Sequence, residues 1–211
     1  MANTTTGYRT EQEAFWAGDF GTAYIARNQG SGLLAANLDF FAKALRQARA
    51  LKSCIEFGAN IGMNLKALQL LHPSLDPHGI EINADAAAQL ARVIPASQVH
   101  HQSIFDFEPT RQWDLVLIKG VLIHLQPERL ALAYDRLVAA TARYLLVAEY
   151  YNPSPVAIPY RGHAERLFKR DFAGEIMDRH PAMTLLDCGF AYHRDPNFPQ
   201  DDITWFLMEK R

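Results

Sequence analysis

Between residues 53 and 150 the chain alternates short apolar runs with amphipathic stretches, and this alternation constrains the fold more than any other feature. The runs are SCIEF (53–57), HGIEI (78–82), QVHHQSI (98–104), WDLVLI (113–118) and RYLLVAEY (143–150). Each has strand length, and WDLVLI is continuously apolar, as a strand covered on both faces should be. Residues 62–71 and 84–93 show helical spacing and stop at Pro73 and Pro95, and Pro127 opens a further helix towards residue 140. Strands alternating with helices predict an α/β fold with a parallel sheet, doubly wound because crossovers are right-handed.

Upstream, Phe15, Trp16, Phe20, Tyr24 and Ile25 fall at roughly helical spacing broken by Gly18 and Gly21, which predicts two short helices. Ser31 is expected to N-cap a longer helix that presents Leu34, Leu38, Phe41, Leu45 and Ala48 on one face. Downstream, NPSPVAIPYRGH (152–163) carries three prolines and no period, so it reads as a loop. A helix over about 169–180 follows. MTLLDCGFAY (183–192) and DITWFLME (202–209) then face each other across a short connection and should pair antiparallel at one sheet edge. Residues 1–211 are expected to form one domain, with 1–30 as an N-terminal helical lid.

The 211 residues are 49% hydrophobic and 21% charged, which excludes a disordered or collagenous chain. A net charge of −2 argues against a nucleic-acid partner bound through many phosphates. Cys54 and Cys188 form neither a disulfide framework nor a metal knuckle. The opening MANTTTGYRTEQ lacks the basic and apolar regions of a signal peptide, and no apolar run reaches the roughly 20 residues of a membrane span. The expectation is a cytoplasmic protein with a small-molecule substrate and no membrane or metal.

The most specific motif is Glu56-Phe57-Gly58-Ala59-Asn60-Ile61-Gly62, where the first strand turns into its helix. Glycines there allow close backbone approach to a ligand. A dinucleotide fingerprint would carry glycine where Asn60 stands, and Asn60 crowds the place of a pyrophosphate. Glu81, at the end of the second strand, is placed to accept both ribose hydroxyls, a charge-assisted pair worth about 1.5–3 kcal/mol. A glycine-bearing turn without a phosphate cradle, with a ribose carboxylate, describes a nucleoside site lacking phosphates, and S-adenosylmethionine fits it. Ser103 and Ile104 after the third strand are candidates to contact adenine. Lys119 after the fourth is a candidate for the methionine end.

EFGANIG, IEIN (80–83), SIFDFEP (103–109), KGVLIHL (119–125), FAGE (172–175) and DDITWF (201–206) resemble class I S-adenosylmethionine-dependent methyltransferases, and among them the pseudaminic-acid-biosynthesis-associated methylases. The resemblance covers nearly the whole chain. It implies a Rossmann-like seven-stranded sheet whose last strand is antiparallel, and a cofactor site that takes in Ile82 beside Glu81. The same group is similar to azetidine-2-carboxylate synthases, which cyclise S-adenosylmethionine and release methylthioadenosine.

Displacement at a sulfonium needs a dry pocket, and aromatic faces stabilise its charge. Phe15, Trp16 and Phe20 in the lid, with Tyr150 and Tyr160 after the fifth strand, are candidates for the sulfonium or substrate pocket. Tyr24 and Arg27 are candidate cofactor contacts, Arg27 through the methionine carboxylate. Arg161 and His163 suit an acidic or sugar-acid acceptor. Tyr151, Asn152, His124 and His163 are the candidate catalytic residues. Three readings stay open: methyl transfer to an acidic acceptor, cyclisation of the cofactor, and an inactive cofactor-binding partner protein.

Overall fold

The computed structural model describes residues 8–25, 30–160 and 163–211, with the backbone alone for residues 160 and 163–166. Helices α1 (Glu11–Ala17) and α2 (Asp19–Ile25) open it. α1 begins with a capping box, in which Thr10 accepts from the Glu13 amide and the Glu13 carboxylate accepts from the Thr10 amide. α3 (Ser31–Ala44) is N-capped by Gly30, at φ 114°, rather than by Ser31. It buries Ala36, Asn37, Phe40, Phe41 and Ala44. The expected stripe is therefore rotated: α3 packs on the helix after the first strand, leaving Leu34 and Leu38 half-buried at the edge of that contact.

The chain continues through β1 (Ser53–Phe57), α4 (Met63–Leu71), β2 (Asp76–Glu81), α5 (Ala84–Leu90), β3 (Val99–His101), β4 (Trp113–Lys119), α6 (Leu130–Ala140) and β5 (Thr141–Glu149). It ends with β6 (Val156–Tyr160), β7 (His163–Lys169), α7 (Phe172–Arg179), β8 (Met183–Ala191) and β9 (Ile203–Lys210). Seven strands form one sheet in the order β3-β2-β1-β4-β5-β9-β8. β1 to β5 are parallel, and β9 runs antiparallel to both β5 and β8. The expected doubly wound sheet with an antiparallel last strand is thus observed.

Alternate residues of the buried strands feed two cores. Ile55, Phe57, Val116, Ile118 and Val147 pack with α6 and α7, whereas Cys54, Leu115, Leu117 and Leu146 pack with α3 and α4. This is why β1 and β4 read as continuous apolar runs rather than alternating ones. Strand order reverses at β1, whose neighbours are β2 and β4, and ligands of such sheets gather at the carboxyl ends beside that reversal.

One segment differs from expectation. The expected loop of 152–163 is not one throughout: from Val156 the described residues form β6, which pairs antiparallel with β7 as a separate two-stranded sheet. Pro159 sits where the register breaks between Ile158 and Tyr160, the kind of irregular position in which a strand tolerates proline. The following helix starts at Phe172 because Asp171 caps it, accepting from the Gly174 amide at 2.9 Å.

Candidate functional site

A cavity of about 650 Å³ opens at the carboxyl ends of β1, β2 and β4, with α1 and α2 contributing its roof. Its floor is the β1–α4 turn. Gly58 (φ 80°) and Asn60 (φ 48°) both adopt left-handed backbone, which glycine takes freely and asparagine tolerates. A Cβ on Gly58 would lie 2.5 Å from Val121 Cγ2, so glycine lets the turn pass the segment that leaves β4. Gly62 does not line the cavity; a Cβ there would meet Leu90 Cδ1 of α5 at 2.7 Å. Its role is close helix packing, not the expected cofactor contact.

The amides of this turn are all committed. Gly58 and Ala59 donate to the Ile80 carbonyl, and Gly62 donates to the Ala59 carbonyl. The Asn60 amide donates to Glu81 Oε2 at 2.7 Å, and the Ile61 amide donates to Asn60 Oδ1 at 2.7 Å. Glu81 Oε1 accepts from the Asn83 amide at 2.8 Å. Glu81 lines the cavity with 8% exposure. Burial pushes its carboxyl up, against the opposing pull of the Asn83, Asn60 and Ile82 amides. Two oxygens with about four acceptor sites between them keep capacity beyond these amides, as a ribose contact requires.

Beyond Glu81, Ile82, Ile104 and Phe105 give the wall an apolar surface. Ser103 lines it too, but its hydroxyl donates to Glu13 Oε1 and accepts from the Phe105 amide. The structure thus ties Ser103 to the roof, where sequence reasoning expected a base contact.

The opposite end is polar. Lys119 lines the cavity, half-buried, with Nζ 5.5 Å from the centroid of the Phe40 ring. Burial lowers its pKa, and Glu56, Asp201 and Glu149 raise it back. Glu56 is fully buried under the turn and does not line the cavity; Asn64, which does, donates to its Oε1 at 2.6 Å. Burial raises the Glu56 carboxyl to about 8, opposed by Asn64 and Lys119. Glu149 accepts from the Val121 and Leu122 amides at 3.0 and 2.9 Å, and burial raises it to about 7. The expectation that Glu56 touches a cofactor is corrected accordingly: it stands behind Asn64.

The aromatic candidates separate into two groups. Trp16, Tyr24 and Tyr150 line the cavity. The Trp16 ring lies 4.7 Å from His124, centroid to centroid, and 5.3 Å from both Phe20 and Tyr24. Phe15 and Phe20 stack on each other at 4.1 Å behind Trp16, outside the wall. His124 lines the wall at 7% exposure.

Tyr151 and Asn152 are not brought to the cavity. Tyr151 is 40% exposed with its ring 5.8 Å from Phe206, and Asn152 Nδ2 donates to the Ser154 carbonyl at 2.6 Å. The chain leaves β5 sideways to start the hairpin, and this carries both away from the expected catalytic position. Arg27 and Arg161 lie outside the described residues, as do the side chains of Tyr160 and His163.

Sequence reasoning missed several wall residues. Asn37 and Gln200 are buried against each other, with Gln200 Nε2 donating to Asn37 Oδ1 at 2.9 Å, and Asp201 and His193 stand beside them. Asp201 lies within DDITWF, so a signal for it was present. Asn83 was missed as well. Its Oδ1 caps α5, and its Nδ2 lies 3.2–3.3 Å from the Trp16, Ala17 and Gly18 carbonyls and Thr22 Oγ1, which share its two N–H donors, holding the roof. Among the described residues no group of His, Cys, Asp and Glu could hold a metal, and no helix is long and apolar enough to cross a membrane.

No family model matches the chain, and no curated protein matches it. Solved structures do. A 1,6-didemethyltoxoflavin-N1-methyltransferase from Burkholderia thailandensis superposes with a TM-score of 0.71 at 15% identity, covering 99% of this chain and 93% of that one. The magnesium protoporphyrin IX methyltransferase ChlM from Synechocystis PCC 6803 gives 0.69 at 13% identity, with full coverage of both. The fold is that of the Rossmann-like methyltransferases. Mitomycin 7-O-methyltransferase MmcR shares it, with a TM-score of 0.67 at 13% identity over 96% of this chain, which spans 61% of that protein's length.

Proposed function

We propose that this chain transfers a methyl group from S-adenosylmethionine to a small-molecule acceptor. One observation carries the reading. Every backbone amide from Gly58 to Gly62 already has an acceptor within the protein, and Asn60 spends its amide on the very carboxylate placed for a ribose. A turn built this way offers no free amides to cradle a pyrophosphate. It suits an adenosine without phosphates. The similar folds agree in kind: ChlM was solved with bound S-adenosylmethionine and the toxoflavin enzyme with S-adenosylhomocysteine.

When bound, S-adenosylmethionine supplies an electrophilic methyl group on a sulfonium. The chain's own residues would then divide the work. Glu81 holds the ribose hydroxyls, and Ile104 and Phe105 pack on the base. Lys119, Asp201 and the Asn37–Gln200 pair present both charge signs and neutral amides to the zwitterionic end. Trp16, Tyr24 and Tyr150 offer π faces to the positive charge, and the roof excludes water. His124, against Trp16, is the candidate to take the acceptor's proton as the acceptor's lone pair forms the new bond and the carbon–sulfur bond breaks.

Two measurements test this. Glu81→Ala should weaken S-adenosylhomocysteine binding about tenfold or more, the loss expected for paired hydrogen bonds to a carboxylate; unchanged affinity would remove the site. Incubation with S-adenosylmethionine and an acceptor panel should yield S-adenosylhomocysteine only when an acceptor is present. Methylthioadenosine appearing without an acceptor would instead exclude simple methyl transfer, with azetidine-2-carboxylate as co-product marking cyclisation, and tight binding with no turnover would mark an inactive partner. The acidic acceptor expected from Arg161 and His163 rests on groups outside the described residues, so the proposal names only a small molecule.

A further inference from the structure

Helix α1 is buried the opposite way from a helix held by its apolar face. Gln12 and Glu13 are its buried residues, while Phe15 and Trp16 are only half-buried. Glu13 is explained, because its carboxylate accepts from the Arg9 and Thr10 amides and from the Ser103 hydroxyl. No partner among the described residues explains the burial of Gln12. It is 5% exposed, lines the cavity, and holds Oε1 buried without a hydrogen-bond donor. Buried carboxamide oxygens nearly always have a donor, so an orphan on the wall of a ligand cavity marks where a donor arrives.

Its place in the cavity says which donor. The Glu13–Ser103 contact holds the first turn of α1 against the chain leaving β3. Gln12, in that same turn and next to Glu13, lines one cavity with Ser103, Ile104 and Phe105. In the sheet β3 lies outside β2, and β2 ends at Glu81. A nucleoside with its ribose on Glu81 and its base against Ile104 and Phe105 brings the edge of the base to α1. We propose that Gln12 reads the amino edge of adenine: Oε1 accepts from the exocyclic N–H, and the carboxamide NH2 donates to the adjacent ring nitrogen. A carboxamide sets an acceptor beside a donor, and adenine sets a donor beside an acceptor. The inference rests on the proposed S-adenosylmethionine reading and names, within it, a base-recognition residue supplied by the roof.

The test is calorimetric titration of the full chain and its Gln12→Leu variant with S-adenosylhomocysteine and with S-inosylhomocysteine, which carries an oxygen in place of the amino group. The wild-type chain should prefer the adenine compound by about tenfold or more, as expected when a site built to pair a group meets an analogue lacking it. Gln12→Leu should lose that preference to within about twofold, mainly by binding the adenine compound more weakly. Gln12→Met, unbranched and close in shape, should behave the same at an unchanged melting temperature, which separates recognition from damage to α1. Glu81→Ala should weaken both compounds alike and keep the preference. An undiminished preference in both Gln12 variants would overturn the inference and leave the cofactor reading standing. Failure of the wild-type chain to bind either compound would overturn both.

Discussion

In the floor of the cavity, β1 and β4 bury Ile55, Phe57, Val116 and Ile118 to 1% exposure or less. In the roof, α1 buries Gln12 and Glu13 and leaves its aromatics half-exposed. The floor is held by non-directional burial spread over a large area, each such side chain contributing about 1.5–3 kcal/mol. The roof has one small apolar anchor, Ile25 of α2 against Ile61 and Ala86, and is otherwise held at named polar points: Asn83 beside the carbonyls that end α1, Thr22 Oγ1 on Asp85 at 3.0 Å, and Ser103 on Glu13. The neutral bonds net about 1 kcal/mol each and those to carboxylates about 1.5–3, over little buried apolar area, so opening of the roof is expected to cost less than opening of the sheet.

The comparison can be broken hardest at Gly58. Gly58→Val forces a β-branched residue to positive φ and into Val121, at a cost above about 3 kcal/mol. It should lower the melting temperature and abolish S-adenosylhomocysteine binding in a titration; wild-type behaviour would show that the floor is not the rigid half.

Next comes the charge beneath the floor. Glu56 at about 8 and Glu149 at about 7 both lie above the ordinary 4.5, so the folded chain binds more protons than the unfolded one across that interval. Stability from these groups is full below pH 4.5 and declines as pH rises, until it is lost near pH 8 for Glu56. For Glu56 the decline is on the order of 3–5 kcal/mol. Urea unfolding at several pH values should show it, and Glu56→Gln, which mimics the protonated acid, should flatten it. An unaltered slope in that variant would assign the pH dependence elsewhere.

Asn83→Ala addresses the roof. It removes the α5 cap, about 1–2 kcal/mol, together with the roof bonds. Hydrogen exchange should accelerate over residues 8–25 and remain slow in β1 and β4; equal acceleration of the strands would make floor and roof one cooperative unit. The smallest effect is expected at Asn152, whose side chain bonds Ser154 outside the cavity. Asn152→Ala should shift stability by less than about 0.5 kcal/mol and leave turnover unchanged, and a tenfold fall in turnover would return this residue to the site.

Much of the floor was legible in the chain. Glycine and asparagine in the β1 turn and a carboxylate ending β2 are local signals, because left-handed backbone and strand ends leave marks on residue choice. Even the roof carried one such mark, the Thr10–Glu13 capping box. The roof's anchors were not legible. Asn83 reads as a helix cap, but the partners of its amide nitrogen lie 61–67 positions away, and Gln200 finds Asn37 across 163. Tyr151 and Asn152 misled for a related reason. Leaving a strand's carboxyl end suggests a site residue, yet the direction of exit is decided by the β6–β7 hairpin, whose prolines mask its strands.

The amino-acid order alone determined the alternation that makes a parallel α/β sheet, its antiparallel edge pair and the glycine–asparagine turn after β1, since periodicity and backbone preference act between near neighbours. Only the tertiary structure decided which polar groups stand over the cavity, which carboxylates lose their water, and that Gln12 faces inwards with an acceptor unfilled. Desolvation and side-chain pairing depend on what the folded chain brings alongside, and no local pattern carries that information.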